Sequence, residues 1–323
     1  MQKQGGTLAE FIQQGHGARD VATQEIIAGL SATTAAVAPK YLYDMLGSRL
    51  FEAICGLPEY YPTRTEAAIF DQYAAQIAIH GGVGATLIDL GAGNCGKAAH
   101  LFPGLRPTQY VAIDIATGFL HEAVARLQQR FPQIAMAAIG MDFSGELRLP
   151  ALVNTARRLF FYPGSSIGNF SPVQALEFLR RIRAACDGDG GLLVSVDLIK
   201  EAPILDQAYD DPLGVTAAFN LNLLRHLNRV AGTDFDVRDW RHRAFFNAAE
   251  SRVEMHLEAR RDLVVRWADG ERRFSRGQRI HTENSYKYTE EGFVSLLQRA
   301  GFDAVKSWTD VRNWFMVCHA RAG

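Results

Sequence analysis

The amino-acid sequence predicts an α/β protein built around a mainly parallel sheet, and three observations carry that expectation. The run Leu87 to Lys97 (LIDLGAGNCGK) is an apolar strand that reaches an acidic residue and passes straight into a glycine loop. Strand-like and helical stretches then alternate as far as residue 198, the pattern of a sheet covered by crossover helices. Two further strands run into acidic residues, QYVAID at Asp114 and IAMAAIGMD at Asp142. Open α/β sheets bind ligands outside the carboxyl ends of their strands, so these strand ends mark a candidate nucleotide site as well as a fold class.

The elements follow in order. Residues 1–62 read as helical, with YLYDMLGSRLFEAICGLP carrying apolar residues at spacings of three to four. Thr63-Arg64-Thr65-Glu66 has the form of a capping box and opens the helix EAAIFDQYAAQIAIHGG. At the end of the next strand, Gly91 and Gly93 allow a tight turn and close backbone approach to a ligand. The helix expected near Cys95 would offer that ligand unpaired amides and the positive end of its dipole. After QYVAID come the helix TGFLHEAVARLQQRF, the strand IAMAAIGMD and the segment RRLFFYPGSSIGNF, where a strand breaks into a glycine and serine loop. In the helix SPVQALEFLRRIRAAC, Ser171 suits the N-cap and Pro172 the first helical position, and the strand GLLVSVDL completes the run.

From Ile199 to about Lys287 the alternation stops, and a helical half (ILDQAYDDPLGVTAAFNLNLLRHLNRV) precedes strand-like runs such as RVEMHLEARRDLVVRW. Roughly ninety residues are too many for a loop in a compact domain, so this stretch reads as an inserted lobe. The expected organisation is a core of residues 64–198 and 288–323, with a substrate-binding α+β lobe of residues 1–63 and 199–287. A helix, TEEGFVSLLQRAGF, and two strand-like runs, DAVKSWTD and NWFMVCHARAG, close the chain.

Composition narrows the class of function. With 323 residues, 48% hydrophobic and 21% charged, the chain has the make-up of an ordinary soluble enzyme. A formal net charge of -1 gives no bulk attraction to nucleic acid or an anionic membrane, which favours a small-molecule substrate. The arginines from Arg260 to Arg279 are interrupted by acidic residues and read as a solvated face. The four cysteines, Cys55, Cys95, Cys186 and Cys318, lack metal or disulfide spacing, and the nine histidines form no HxxxH or HExxH pattern, so no metal is expected. A polar N-terminus and the lack of a long apolar run make a cytoplasmic protein the expectation. No residue pattern decides the oligomeric state, and a monomer is taken as the starting expectation.

The glycine loop alone leaves two cofactors open. Read as Gly91-x-Gly93-x-x-Gly96, with Asp114 some ~20 residues further on, it fits the dinucleotide fingerprint of an NAD-dependent oxidoreductase. A dehydrogenase has no need of Asp142, however. S-adenosylmethionine lacks a pyrophosphate and is held by its ribose diol and adenine, for which Asp114 and the pair Asp142-Phe143 are suited. The terminal helix and strand pair also resemble the way class I methyltransferase sheets finish.

Longer strings go beyond a generic cofactor fold. YDMLGSRLFEAICGLPEYYPTRTE, PGSSIGNFSP, YDDPLGVTAAFN, RVEMHL and HTENSYKY, in that order, resemble the histidine Nα-methyltransferase family of ergothioneine biosynthesis, over about Ala38 to Cys318. The resemblance implies a class I S-adenosylmethionine-dependent, Rossmann-like core and methyl transfer to the α-amine of histidine, up to the trimethylated betaine hercynine. Relatives acting on other aromatic amino acids keep a different amino acid or amine open as substrate. By the resemblance, Gly91, Gly93, Lys97, Asp114, Asp142 and Phe143 match cofactor positions. Tyr43, Tyr60, Gly164, Asn169, Tyr209, Met255, Glu283 and Ser285 match positions lining the amino-acid pocket, with Tyr43, Gly164 and Asn169 assigned to catalysis. Asn169 and Tyr209 would hold the substrate carboxylate, and Glu283 and Ser285 the imidazole. This chain has Pro163-Gly164-Ser165 where the family more often has Leu-Gly-Ser, and Asn284 and Tyr286 also depart from the usual motif.

Overall fold

The computed structural model describes residues 9–13, 18–186 and 188–323. In chain order the first elements are β1 (Glu10–Gln13), α1 (Ala18–Ser31), α2 (Met45–Cys55), α3 (Tyr61–Gly81), β2 (Thr86–Leu90), α4 (Gly96–Leu105), β3 (Gln109–Asp114), α5 (Thr117–Arg130), β4 (Ala135–Gly140), β5 (Arg158–Tyr162), α6 (Pro172–Ala185) and β6 (Gly191–Asp197). They are followed by α7 (Ala202–Tyr209), α8 (Val215–Ala231), β7 (Trp240–Asn247), β8 (Arg252–Ala259), β9 (Leu263–Trp267), β10 (Gly270–Phe274), β11 (Arg279–Tyr286), α9 (Glu290–Arg299), β12 (Phe302–Thr309) and β13 (Phe315–Ala322). These elements form two compact units, one holding residues 62–199 and 287–323 with 9–13, the other holding 18–61 and 200–286.

The first unit is an eight-stranded sheet in the order β1-β4-β3-β2-β5-β6-β13-β12. Strands β1 to β6 pair in parallel, while β13 runs antiparallel to β6 and β12 antiparallel to β13. Strand alternation sends side chains to two separate apolar layers. Ile88, Val111, Phe160 and Val194 pack under α6 and α9 through Phe178, Ile182, Phe293 and Leu297. Leu87, Tyr110, Phe161 and Leu193 pack on the other face against Phe70, Phe102, Leu120 and Val124 of α3, α4 and α5. The chain steps outward from β2 through β3 to β4, then returns to β5 on the opposite side. The carboxyl ends of β2 and β5 therefore flank the topological switch point, where this architecture opens a binding crevice.

Two local expectations are corrected. Residues 10–13 were assigned with the lobe, yet β1 pairs with β4 as an edge strand of the core sheet. Thr63 is not a cap, because α3 already begins at Tyr61 and Thr63 lies inside its first turn. The capping box forms instead at α6, where the Ser171 hydroxyl accepts from the Gln174 amide and the Gln174 side chain accepts from the Ser171 amide.

In the second unit, β7, β8 and β11 form an antiparallel sheet and β9 and β10 a hairpin. Helices α7 and α8 pack on that sheet, and Trp240 is buried between Phe235 and Phe274. The register of β11 on β8 shifts between His281 and Glu283, so that His281 pairs with His256 but Glu283 pairs with Met255. Thr282 is the extra residue, and its hydroxyl donates to the Met255 carbonyl at 3.1 Å. Regular alternation would put Glu283 on the face of Arg279 and His281; the bulge moves it, with Ser285, to the face of Met255 and Val253.

Candidate functional site

The glycine loop after β2 is shaped by three left-handed residues, Gly91, Gly93 and Cys95, with φ of 72°, 52° and 62°. Cys95 is the N-cap residue of α4, as the spacing predicts, and its buried thiol is pushed up to about 12 by desolvation, which disfavours the thiolate form. Asp114 closes the loop from β3. One carboxylate oxygen accepts from the Gly93 amide at 2.9 Å and the other from the Ala116 amide at 2.9 Å, while burial raises its pKa against those hydrogen bonds. A Cβ added at Gly93 would meet no atom within 4 Å, so the space over the loop is open. The fit to a ribose-bearing ligand is good: bare backbone beneath, and a carboxylate with lone pairs left at the strand end.

Asp142 lies two residues beyond β4 and accepts from the Ser144 amide at 2.9 Å and its hydroxyl at 2.5 Å. The Phe143 ring packs on Tyr162 and Phe178, and its edge lies 3.8 Å from where a Cβ of Gly91 would stand. Phe143 thus offers an apolar contact directly beside the glycine loop.

Beneath the loop lies Asp89, a fully buried carboxyl on β2 that receives the Tyr110 hydroxyl at 2.7 Å and has no partner on its other oxygen. Desolvation pushes its pKa up to about 7. A carboxyl whose folded pKa lies above its unfolded value of ~3.9 contributes stability that is complete at low pH and lost as pH rises through the folded value. Asp89→Asn, neutral throughout, should therefore gain thermal stability relative to the parent on moving from about pH 5 to about pH 8. Parallel melting profiles across that window would show that Asp89 is ionised in the folded protein at both ends.

The turn after β5 carries Gly164 and Ser165, both left-handed, with φ of 76° and 58°. Its Gly164 amide donates at 2.7 Å to Glu66, a residue on α3 that is 1% exposed. The second carboxylate oxygen of Glu66 pairs with the Lys97 ammonium at 2.5 Å, and the Ser195 hydroxyl from β6 donates to the first. The left-handed backbone of Gly164 is what favours glycine there; a Cβ would lie 2.8 Å from that ammonium, the far end of a flexible side chain that can move aside. Asn169 is half-buried and ends the short 3₁₀ turn Ser166–Asn169 that continues from this loop.

The remaining sequence-predicted residues lie in the second unit. Tyr43, Phe51, Tyr60, Tyr209 and Phe219 form a continuous aromatic cluster, with ring centroids 5.4–6.2 Å apart and mostly edge-to-face. The Tyr209 hydroxyl donates to the Ser285 hydroxyl at 2.8 Å, and Glu283 is 6% exposed and close enough to Tyr60 to act on it electrostatically. Burial, reinforced by Tyr209, Cys55, Tyr43 and Glu283, raises the Tyr60 phenol well above its ordinary pKa. Met255 is buried in register with Glu283. Arg279, on the other face of the strand, bonds Glu258 at 2.9 Å.

Sequence reasoning missed Glu66, Ser195 and Phe51, and it marked Asp89 only as the acidic end of the glycine-loop strand. Glu66 was visible only as a helix-start residue, and its partners are far away along the chain. His242 is structural: buried, its ring joins the Tyr209 carbonyl at 2.8 Å and the Asn220 amide at 2.9 Å, holding Tyr209 from behind. Asn284 and Tyr286, the two departures from the usual motif, bond His281 at 2.8 Å and Arg252 at 2.6 Å. Among the described residues no group of three acidic, histidine or cysteine side chains is placed to hold a metal, and no helix is long and apolar enough to cross a membrane.

Comparison with known proteins gives the family. Residues 22–322 match the family model described as histidine-specific methyltransferase, SAM-dependent. Histidine N-alpha-methyltransferase of Mycolicibacterium smegmatis is 38% identical over 299 residues, covering 91% of this chain and 92% of the relative. The protein of the same name from Mycobacterium tuberculosis is 36% identical over 293 residues, covering 89% and 90%. Ergothioneine biosynthesis protein 1 of Neurospora crassa is 31% identical over 277 residues, which are 83% of this chain but 31% of that longer protein. The dinucleotide alternative is thereby set aside: the cofactor is S-adenosylmethionine and the core is a class I methyltransferase fold. The chain belongs to the S-adenosylmethionine-dependent, histidine-specific methyltransferase family.

Proposed function

We propose that this protein transfers methyl groups from S-adenosylmethionine to the α-amino nitrogen of L-histidine, up to the trimethylated betaine. The observation that carries the reading is the second unit's pairing of a buried carboxylate, Glu283, and the Ser285 hydroxyl with a cluster of aromatic rings. A carboxylate and a hydroxyl suit the two nitrogens of an imidazole, one as acceptor and the other as either partner. When bound, the cofactor supplies a methyl group on a positively charged sulfur. The protein's own residues then have a positioning task, because an in-line displacement needs an aligned neutral amine and a dry site rather than a metal or a covalent nucleophile. An α-amine titrates near ~7.7–8.0, so it can lose its proton to solvent near neutral pH.

In this reading Asp114 accepts from the ribose diol, Asp142 and Phe143 meet the adenine, and Gly91, Gly93 and Lys97 complete the cradle. Asn169 and Tyr209 hold the amino-acid carboxylate, and Tyr43 and Gly164 belong to the amine end. Tyr43, Tyr60 and Phe219 present rings that tolerate the growing positive charge of the product through cation–π contact. The enzyme is read as a cytoplasmic monomer with no nucleic-acid partner.

The test is turnover of labelled S-adenosylmethionine by purified protein against the twenty amino acids and histamine. Histidine should be preferred. Histamine keeps the ring and an amine but lacks the carboxylate, and losing the charge-assisted hydrogen bonds of Asn169 and Tyr209 should lower its kcat/KM by at least about tenfold to a hundredfold. Equal turnover of histamine would remove the carboxylate clamp, and preference for tryptophan or tyrosine would replace histidine with another aromatic amino acid.

A further inference from the structure

The Gly164 turn holds consecutive residues in the left-handed region, including a serine there, which persists only where surrounding structure over-determines the backbone. That surrounding structure is specific. The Gly164 amide donates to Glu66 at 2.7 Å, and the Ser165 amide to the Ser195 hydroxyl at 3.4 Å. The Ser195 hydroxyl in turn donates its proton to Glu66. The Ser165 hydroxyl accepts from the Asp197 amide at 2.9 Å, and the Ser166 hydroxyl donates to the Pro163 carbonyl at 3.0 Å. Two successive amides of the turn thus converge on one buried carboxylate and its hydroxyl partner, and the same carboxylate holds Lys97 against the Gly164 Cα. A Glu66 serving only to neutralise Lys97 would need neither the amide nor the hydroxyl.

We propose that Glu66 is a positioning residue for methyl transfer: acting as the acceptor for the Gly164 amide and the Ser195 hydroxyl, it sets the turn that presents Gly164 and Asn169 to the amino acid. The inference rests on the reading that this turn belongs to the amino-acid site. Its acceptor role is separable from its charge, because Glu66→Gln keeps a carbonyl oxygen for the amide and hydroxyl without the negative charge, while Glu66→Met keeps the volume and offers neither.

The experiment measures histidine KM and kcat for the parent, Glu66→Gln and Glu66→Met, together with S-adenosylhomocysteine affinity by calorimetry and the melting temperature. Loss of a buried amide's partner should raise histidine KM in Glu66→Met by roughly ten- to a hundredfold, with S-adenosylhomocysteine affinity within about threefold of the parent. Glu66→Gln should recover histidine KM to within about threefold of the parent. Equal impairment of the Gln and Met variants would overturn the proposal in favour of the charge facing Lys97. So would a Met variant that matches the parent, or one that loses cofactor and histidine affinity in parallel. If Glu66→Met does not fold, Ser195→Ala reads the same network: histidine KM should rise while S-adenosylhomocysteine affinity holds, and an unchanged KM would overturn the proposal. A parent enzyme that leaves histidine unmethylated would defeat the functional reading itself, before any variant is compared.

Discussion

Glu283→Ala is expected to collapse the enzyme's preference for histidine over phenylalanine. A site with buried partners for ring nitrogens rejects an analogue lacking them by up to roughly 10⁴–10⁵, because those partners are left unpaired when the wrong ring enters. An apolar pocket discriminates by only about 10–200-fold. The Glu283 carboxylate is buried on the face of Met255 and lies close to the Tyr60 ring, so an apolar guest there would carry its full desolvation penalty. Removing the carboxylate lowers histidine turnover and abolishes the penalty against phenylalanine, and the ratio of kcat/KM values should fall from the first range toward the second. A ratio unchanged in Glu283→Ala would show that Glu283 does not meet the substrate ring.

Asp114→Ala should weaken S-adenosylhomocysteine binding by at least about a hundredfold, since two hydrogen bonds from a ribose diol to a carboxylate contribute on the order of 1.5–3 kcal/mol each. The same side chain caps the Gly93 and Ala116 amides, so the loss also loosens the glycine loop and adds to the effect. Calorimetry checks it directly, and an affinity within threefold of the parent would remove Asp114 from the cofactor site. Asp114→Asn refines the test: one oxygen remains for the loop, while the charge that strengthens the ribose hydrogen bonds is lost.

Much of the core was legible because its signals are local. Gly91 and Gly93 lie where the chain turns sharply out of a strand, and Asp114 ends the next strand, so the shape of the glycine loop was readable from spacing and residue type. Ser171 and Pro172 announced α6 in the same way, since caps and first-turn prolines depend on backbone chemistry within a few residues. Thr63 misled because Thr-x-x-Glu describes a capping box only when the helix starts there, and Tyr61 and Pro62 had already begun it. β1 was unreadable for a different reason: four residues carry little periodicity, and their pairing with β4 is contributed by the distant edge of the sheet.

By itself the sequence determined the α/β class, the position of Asp114 at the end of one strand and of Asp142 and Phe143 just beyond the next, and the order of the strings that mark the family. Only the tertiary structure decided which way Glu283 points. Period-two alternation in β11 puts His281, Glu283 and Ser285 on one face, but the extra residue at Thr282 shifts the register and parts Glu283 and Ser285 from His281. Tertiary structure likewise decided the use of Glu66, which reads along the chain as a helix-start carboxylate. In the fold it collects the Gly164 amide, the Ser195 hydroxyl and the Lys97 ammonium from three separate segments. A bulge is set by pairing with a neighbouring strand, and a buried carboxylate by the partners that offset its desolvation, so neither is encoded within reach of a local pattern.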